Sequence, residues 1–520
     1  MKVRLAGMNV PLRVIEEVLA YVPEDKREEF RNRLSPEALS AAYARISRSE
    51  KDVNELEVEA SNNMNNARKS AEIIIYGMGH HSVADHALFN FNITGASRLL
   101  IESIEKRRLS GYTEKSQRYV TLKGDYVKPK EFSEEDLKKF DKLVQLQNNF
   151  YFKCKDKIFK NLKEKFRNDI QKSHGKAKES YITNLEGKAK EDARYSLSLA
   201  TEAQLGCSYP GQTLELAIRE LRHGELQEER DFAKLLYDSV VGRAPSLIQL
   251  TDPELFKKHN PGKELDENNF KYTRNNLKEL VKKTFCGYKS SGYLEMIMSK
   301  GSLSCSREEN VALMEDNNID RMIVAAILHS NSKKPIEGCY SAALNMPSST
   351  GFIKEALKYI GTYDKVPREF EIMSPFYEIT LSSSCFAQLK RHRMDTLLPQ
   401  DYNPALGYEI PESIQEVGLG KDLENVCDES GSLYHEFSHK YGKAAEYCLT
   451  NAHRRRVLFC ENERQHYHIS RTREESHAQW EIRNTVKNMS KLIKKIAPTT
   501  TILLGGKDKF AEIRKSVYGE

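Results

Sequence analysis

Apolar residues recur at three- and four-residue spacing along much of this chain, set among many Lys and Glu, and that pattern predicts helices. The clearest runs cover 13–34, 136–175 and 211–240. Strict alternation is rarer. Leu88-Phe89-Asn90-Phe91-Asn92-Ile93 alternates, and so does Phe376-Tyr377-Glu378-Ile379-Thr380-Leu381, so each reads as a strand. Residues 251–285 are polar and Lys-rich, which predicts a linker, bounded here as 251–300. The stretch 153–192 is strongly basic and reads as a solvated helical face.

The order of these elements repeats. Strand 88–93 leads into Gly95-Ala96-Ser97-Arg98, a helical run and the triplet Lys106-Arg107-Arg108. Strand 376–381 leads into Ser382-Ser383-Ser384-Cys385, a helical run and Arg391-His392-Arg393. Downstream, Ala193-Arg194-Tyr195 is matched by Ala445-Glu446-Tyr447. The chain therefore reads as two divergent copies of one α+β domain. The first is expected over 1–250 with a basic helical insertion at about 136–190, and the second over 301–520.

Composition narrows the class. The 520 residues carry 81 Lys and Arg against 75 Asp and Glu, a net charge of +6. That excess is too small to demand a nucleic-acid partner but suits an anionic small molecule. No apolar run approaches the roughly 20 residues that span a bilayer, and the N-terminal residues lack a signal-peptide core. Nine Cys without a C-x-x-C pair argue against a disulfide framework and a Cys-rich zinc site, and a reducing cytoplasm fits them best.

Several clusters suit anion chemistry. Arg391-His392-Arg393 at a helix end, with Gln388 one turn earlier, offers charged donors to a phosphate; a solvated basic surface is the plainer alternative. Ser116-Gln117-Arg118-Tyr119 reads as an anion-binding turn or as an ordinary polar one. His80, His81 and His86, with Ser82 and Asp85 among them, fit no strong zinc spacing, so no metal is expected. Residues 471–482, which hold the single Trp, read as one helix with Arg473 and His477 on one face. No Gly-rich phosphate loop, dinucleotide fingerprint or nucleophile elbow is present.

Taken together these motifs resemble the flavin-dependent thymidylate synthases. That family has Gln-x-x-Arg-His-Arg, then Ser-x-Arg-Tyr, an Ala-Arg-x-x-Leu stretch and an Arg-x-x-Ser-His-Ala-Gln-Trp-Glu-Ile segment. The last runs almost unbroken here from Arg473 to Ile482. The resemblance implies long helices packed on a mostly antiparallel sheet. It implies reductive methylation of deoxyuridine monophosphate (dUMP) to thymidylate, with FAD as cofactor and NADPH and methylenetetrahydrofolate as co-substrates. It also implies roles. Arg194 and Arg473 would be catalytic. Ser116, Gln117, Arg118, Arg194, Gln388, Arg391 and Arg473 would bind substrate. His80, Ser82, Asp85, Glu114, Arg391, His392, Arg393, Asn462, Arg464, His468 and His477 would bind the cofactor.

Neither copy matches the family pattern alone. The first keeps Ser116, Arg118 and Arg194 but has Ser103 for the Gln and Lys106 for the first Arg. The second keeps Gln388, the Arg-His-Arg triplet and Arg473 but has Asp401, Asn403 and Glu446 where Ser, Arg and Arg belong. The losses are complementary, so one composite site per chain is expected, in a homodimer of two-domain chains. A reaction on another pyrimidine nucleotide, or a non-catalytic nucleotide- or flavin-binding role, is the alternative.

Overall fold

The computed structural model describes residues 12–46, 49–118, 120, 122–262, 264–266, 268–286, 305–314 and 318–519. Tyr119, the first eleven residues and the 287–300 part of the expected linker lie outside them. The described chain is α+β, rich in helix with two antiparallel sheets, and it divides into two compact units. The units interleave along the sequence. Unit 1 takes 1–115, 126–133 and 202–287, while unit 2 takes 116–125, 134–201 and 288–520. Among the described residues no helix is long and apolar enough to cross a membrane.

Unit 1 holds a three-stranded sheet of β1 (Leu88–Ser97), β2 (Gly111–Glu114) and β3 (Glu202–Pro210), with β3 central. Ser97 ends β1 and caps the next helix, its hydroxyl accepting from the Leu100 N–H at 2.9 Å. That helix, Arg98–Ile104, buries Leu100, Ile101 and Ile104 with Leu205 and Tyr209 of β3 and Ile218 of the helix Gly211–Arg222. The expected helix at 211–240 breaks at His223 and resumes as Gln227–Val240. The run at 13–34 likewise breaks, because Pro23 lacks the N–H a continuous helix needs. The polar segment beyond 251 forms two helices, Pro253–His259 and Asn269–Cys286, and Arg274 of the second donates to the His223 carbonyl at 2.5 Å.

Unit 2 repeats this plan. Its sheet runs β4 (Cys305–Glu308), β5 (Val311–Met314), β6 (Phe376–Ser382), β8 (Arg454–Cys460) and β7 (Thr396–Pro399) in spatial order. Ser382 ends β6 and caps Ser383–Leu389, accepting from the Cys385 N–H at 3.1 Å. Tyr377, Ile379 and Leu381 pack with Val457 and Phe459, under Ile482, Val486 and Met489 of the helix Trp480–Ile496.

Unit 2 also contains a segment of the first copy. The helix Glu134–Lys165 runs antiparallel to Gly420–Tyr441. Lys139 meets Glu436 at 2.7 Å, Gln147 donates to the Ser430 hydroxyl at 2.9 Å, and Lys153 meets Asp422 at 2.8 Å. The apolar face of this helix is buried through Phe150, Tyr151, Cys154 and Ile158, and most Lys residues of the basic stretch stay outside. Beyond it, the matching segments of the two copies pair directly. Ser198 bridges Thr450, the Leu199 N–H donates to the Leu449 carbonyl at 2.9 Å, and the Asn451 N–H donates to the Leu197 carbonyl at 2.8 Å.

Candidate functional site

Unit 2 gathers the polar residues that the first copy retains between 116 and 201 with those the second retains. The Ser116 turn is closed locally, because the Ser116 hydroxyl accepts from the Arg118 N–H at 3.1 Å. Arg118 pairs through Nε with Glu191 and donates from Nη2 to the His477 carbonyl at 3.4 Å. Arg194 is buried, and its carbonyl accepts from Asn451 Nδ2 at 3.0 Å. The same Asn451 amide donates to Gln117 Oε1 at 3.4 Å, and the buried Gln117 Nε2 has no partner among the described residues.

Arg473 stands at the centre of this charge. It ends the helix Glu463–Arg473, donates from Nε to His392 Nε2 at 3.0 Å and from Nη2 to the Gln388 carbonyl at 3.5 Å. Burial, then the Arg391 and Arg118 guanidiniums, push its pKa down to about 10. Three guanidiniums that repel one another in a half-sheltered place are stabilised by an anion, and a phosphate is the natural one. His392 is buried, and burial with Arg473, His468 and Arg391 holds it well below the usual His range. It is therefore neutral at physiological pH, and its Nε2 serves as acceptor. His468 is exposed, with its ring 5.9 Å from that of His392.

A chain of buried hydrogen bonds backs Arg473. Gln388 Nε2 donates to Gln479 Oε1 at 3.3 Å, and Gln479 Nε2 donates to the Tyr195 hydroxyl at 2.8 Å. Tyr195 donates to Glu481 Oε2 at 2.5 Å. Trp480 stacks on Tyr195 with ring centroids 5.9 Å apart and donates from Nε1 to Asp192 at 3.0 Å. Burial lifts Asp192 to about 6.

The stretch 471–482 is not one helix, contrary to the periodicity. Helix Glu463–Arg473 stops, and Trp480–Ile496 starts afresh with Gln479 as its cap, accepting from the Glu481 and Ile482 N–H groups at 3.1 Å. A side chain that satisfies the first-turn donors ends one helix and begins another. His477 therefore sits in the intervening turn, exposed, and not one turn above Arg473.

The remaining expected residues fall elsewhere. His80, Ser82, Asp85 and Glu114 belong to unit 1. His80 and Ser82 are exposed, Asp85 accepts from the Gln212 N–H at 3.2 Å, and Glu114 lies 3.8 Å from Arg98. In unit 2, Asn462 caps its helix by accepting from the Gln465 N–H at 3.0 Å. Arg464 donates to the Val366 carbonyl at 2.8 Å and meets Glu371 at 2.6 Å. Arg391 is exposed and Arg393 half-buried. Among the described residues no three His, Cys, Asp or Glu side chains gather as metal ligands.

The degenerate positions of the second copy hold one another. Lys443 pairs with Asp401 and, at 2.7 Å, with Glu446, and the Tyr402 N–H donates to Glu446 at 3.1 Å. Sequence reasoning singled out these carboxylates but missed Lys443. It also gave no role to Tyr195, Gln479, Glu481 or Asn451. Gln479 and Glu481 lay inside the quoted motif, whereas Asn451 carries no local signal.

Four of the buried cysteines are held as thiols. Burial raises Cys154, Cys207 and Cys427 to about 12 and Cys385 well above the ordinary thiol range. The arrangement is thus a group of guanidiniums and buried amides with no activated sulfur nucleophile among those four.

This architecture defines a duplicated α+β protein with a cluster of guanidiniums in one unit. The family model of the thymidylate synthase complementing protein matches residues 31–246 and again 312–499, and the chain belongs to that family. The double match fits the two copies seen in the fold. UPF0159 protein Ta1429 of Thermoplasma acidophilum is similar along nearly its whole length, 23% identical over 483 residues, covering 84% of this chain and 90% of the relative. The flavin-dependent thymidylate synthase of Clostridium tetani is 28% identical over 221 residues, 42% of this chain but 83% of its own. That of Pyrococcus abyssi is 28% identical over 149 residues, 29% of this chain and 49% of its own.

Proposed function

We propose that the chain is an FAD-dependent thymidylate synthase, converting dUMP to dTMP with methylenetetrahydrofolate and NADPH, through one composite site per chain. The observation that carries this reading is the meeting in unit 2 of Arg118 from the first copy with Arg391 and Arg473 from the second. The nucleotide phosphate would lie against these guanidiniums, with Ser116 and Gln117 as neighbouring donors. Arg473 stays charged at neutral pH, since about 10 is still well above 7. Neutral His392 accepts from its Nε and so aims the guanidinium. Arg194 and Arg473 would hold the nucleotide in register for transfer, a positioning role that needs no side-chain base.

The donor set also fits a flavin, which carries a pyrophosphate. Arg391, His392, Arg393, Asn462, Arg464, His468 and His477 of unit 2 are the residues we assign to it, and the resemblance adds His80, Ser82, Asp85 and Glu114 of unit 1 as cofactor residues in their own right. Bound and reduced by NADPH, FAD supplies the hydride in this class of reaction. The raised cysteine thiols support a route without a sulfur nucleophile. We place the enzyme in the cytoplasm as a homodimer of two-copy chains, with no nucleic-acid or membrane partner.

The test is spectroscopic. Purified chain should show oxidised-flavin bands that bleach with NADPH and return when dUMP and methylenetetrahydrofolate are added, with dTMP formed. Titration should give one FAD per 520-residue chain. Two tight flavins per chain would defeat the composite site. Flavin turnover with another pyrimidine nucleotide but none with dUMP would defeat the substrate assignment.

A further inference from the structure

The buried amides behind Arg473 have their polarity fixed from the backbone outward. Gln479 must turn Oε1 toward the Glu481 and Ile482 N–H groups, because a helix start needs acceptors. Its Nε2 then donates to Tyr195, so the Tyr195 O–H must donate onward to Glu481. Glu481 is held by Ser382 through both the N–H and the hydroxyl, at 3.0 and 2.5 Å. Gln388 meets Gln479 Oε1 and can meet it only as a donor. Its carbonyl oxygen is thereby left outside the relay, and that buried Oε1 has no partner among the described residues.

The first copy lacks this relay but keeps the clamp. Ser97 donates to Glu228 from both N–H and hydroxyl, at 2.8 and 2.6 Å. There, however, Leu226 stands in place of Gln479 and Ser103 in place of Gln388, and the Ser103 hydroxyl donates to Glu229 at 2.5 Å. The clamp is therefore scaffold common to both copies. The two amides occur only in the copy that carries Arg391 and Arg473.

We infer that Tyr195 and Gln479 are positioning residues that lock Gln388 with its carbonyl oxygen outward, as the acceptor that reads a hydrogen-bond donor of the nucleotide. This rests on the nucleotide reading proposed above. A deoxyuridylate offers two such donors, the imide N–H of the base and the sugar hydroxyl. A buried acceptor left unmatched penalises any ligand that lacks the donor, so the lock acts on specificity.

Binding of dUMP and two analogues to the flavin-loaded chain tests this. One analogue is methylated on the imide nitrogen and the other lacks the sugar hydroxyl. One of the two should bind roughly three- to tenfold more weakly than dUMP, which identifies the donor. Gln388→Met should weaken dUMP by a similar factor and erase the discrimination. Tyr195→Phe should blunt the discrimination in the native background, yet change dUMP affinity less than about twofold when Gln388 is already Met. A purely structural role for Tyr195 would cost the same in both backgrounds and overturn the inference. Equal binding of all three nucleotides by the unmutated chain would overturn it without any variant. If the chain takes dUMP in an Arg473-dependent way but shows no discrimination, this inference alone falls. If it takes no dUMP, the functional reading falls with it.

Discussion

Ser382 and Glu481 are joined twice, the Ser382 N–H to Oε1 at 3.0 Å and its hydroxyl to Oε2 at 2.5 Å. Ser97 and Glu228 repeat the arrangement in the other unit. In each case the carboxylate ties a strand-to-helix corner to the start of a later helix. Glu481 is fully buried, whereas Glu228 is partly exposed. Glu481→Gln should therefore cost roughly 3 kcal/mol, because an amide offers one oxygen where two carboxylate oxygens now accept from the Ser382 N–H and the Ser382 and Tyr195 hydroxyls, so a buried donor loses its acceptor. Glu228→Gln should cost about 1–2 kcal/mol. Urea unfolding of the two variants checks the order, and equal midpoints would contradict it.

Arg473→Ala should weaken dUMP binding by about 1.5–3 kcal/mol, the scale of a lost charged hydrogen bond. Arg473→Lys should recover little. The guanidinium uses Nε for His392 and Nη2 for the Gln388 carbonyl, and one ammonium cannot span both. Calorimetric titration gives both values, and an unchanged affinity in either variant would count against the site.

Ser116→Ala should retain turnover with a raised KM. Its hydroxyl shapes the turn by accepting from the Arg118 N–H, so its loss loosens Arg118 and removes no nucleophile. A collapse of kcat with normal nucleotide binding would point to covalent catalysis instead.

Lys443 compensates two carboxylates, and Glu446 is almost wholly buried. Lys443→Met should destabilise unit 2 by roughly 3–5 kcal/mol, since a buried charge is left unpaired. The double variant Lys443→Met with Glu446→Gln should regain part of that loss. Thermal unfolding of the single and double variants measures the difference.

Glu463 sets a pH dependence. Burial raises it from 4.5 to about 8, against the Thr500 hydrogen bond, which lowers it. A carboxyl raised in the folded state binds its proton more tightly there than when unfolded. Its contribution is full below about pH 4.5 and is lost as pH rises through about 8, with a slope approaching 1.4 kcal/mol per pH unit. Glu463→Gln should flatten the stability profile across that window. An identical slope in the variant would show another group responsible.

Much of the plan was legible in the chain. Both alternating strands form, each followed by the expected helix, because a period-two pattern ending in Ser writes both a buried strand face and a helix cap. The family and the duplication were legible through motif order. Helix continuity at 471–482 was misread, since periodicity records the buried face but not the side chain that satisfies the next helix's first donors. Tyr195 and Asn451 were invisible as site residues because their partners, Glu481 and Gln117, lie hundreds of positions away. The packing of 134–201 with the second half was equally hidden, since an amphipathic helix shows which face it buries and not against what.

The pairing of Ser198 with Thr450 joins two segments that are alike in order yet encoded separately. In an assembly of identical chains, a substitution in such a segment is stamped onto every equivalent position at once. Here Arg194 and Glu446 occupy matching places and carry opposite charge, four residues upstream of the bridge on either side. A symmetric oligomer could not hold that difference, because losing the arginine in one place would mean losing it in all. Covalent linkage releases the two copies from that constraint, so each can drift in the half that the other retains, and every later change turns spare symmetry into mutual dependence.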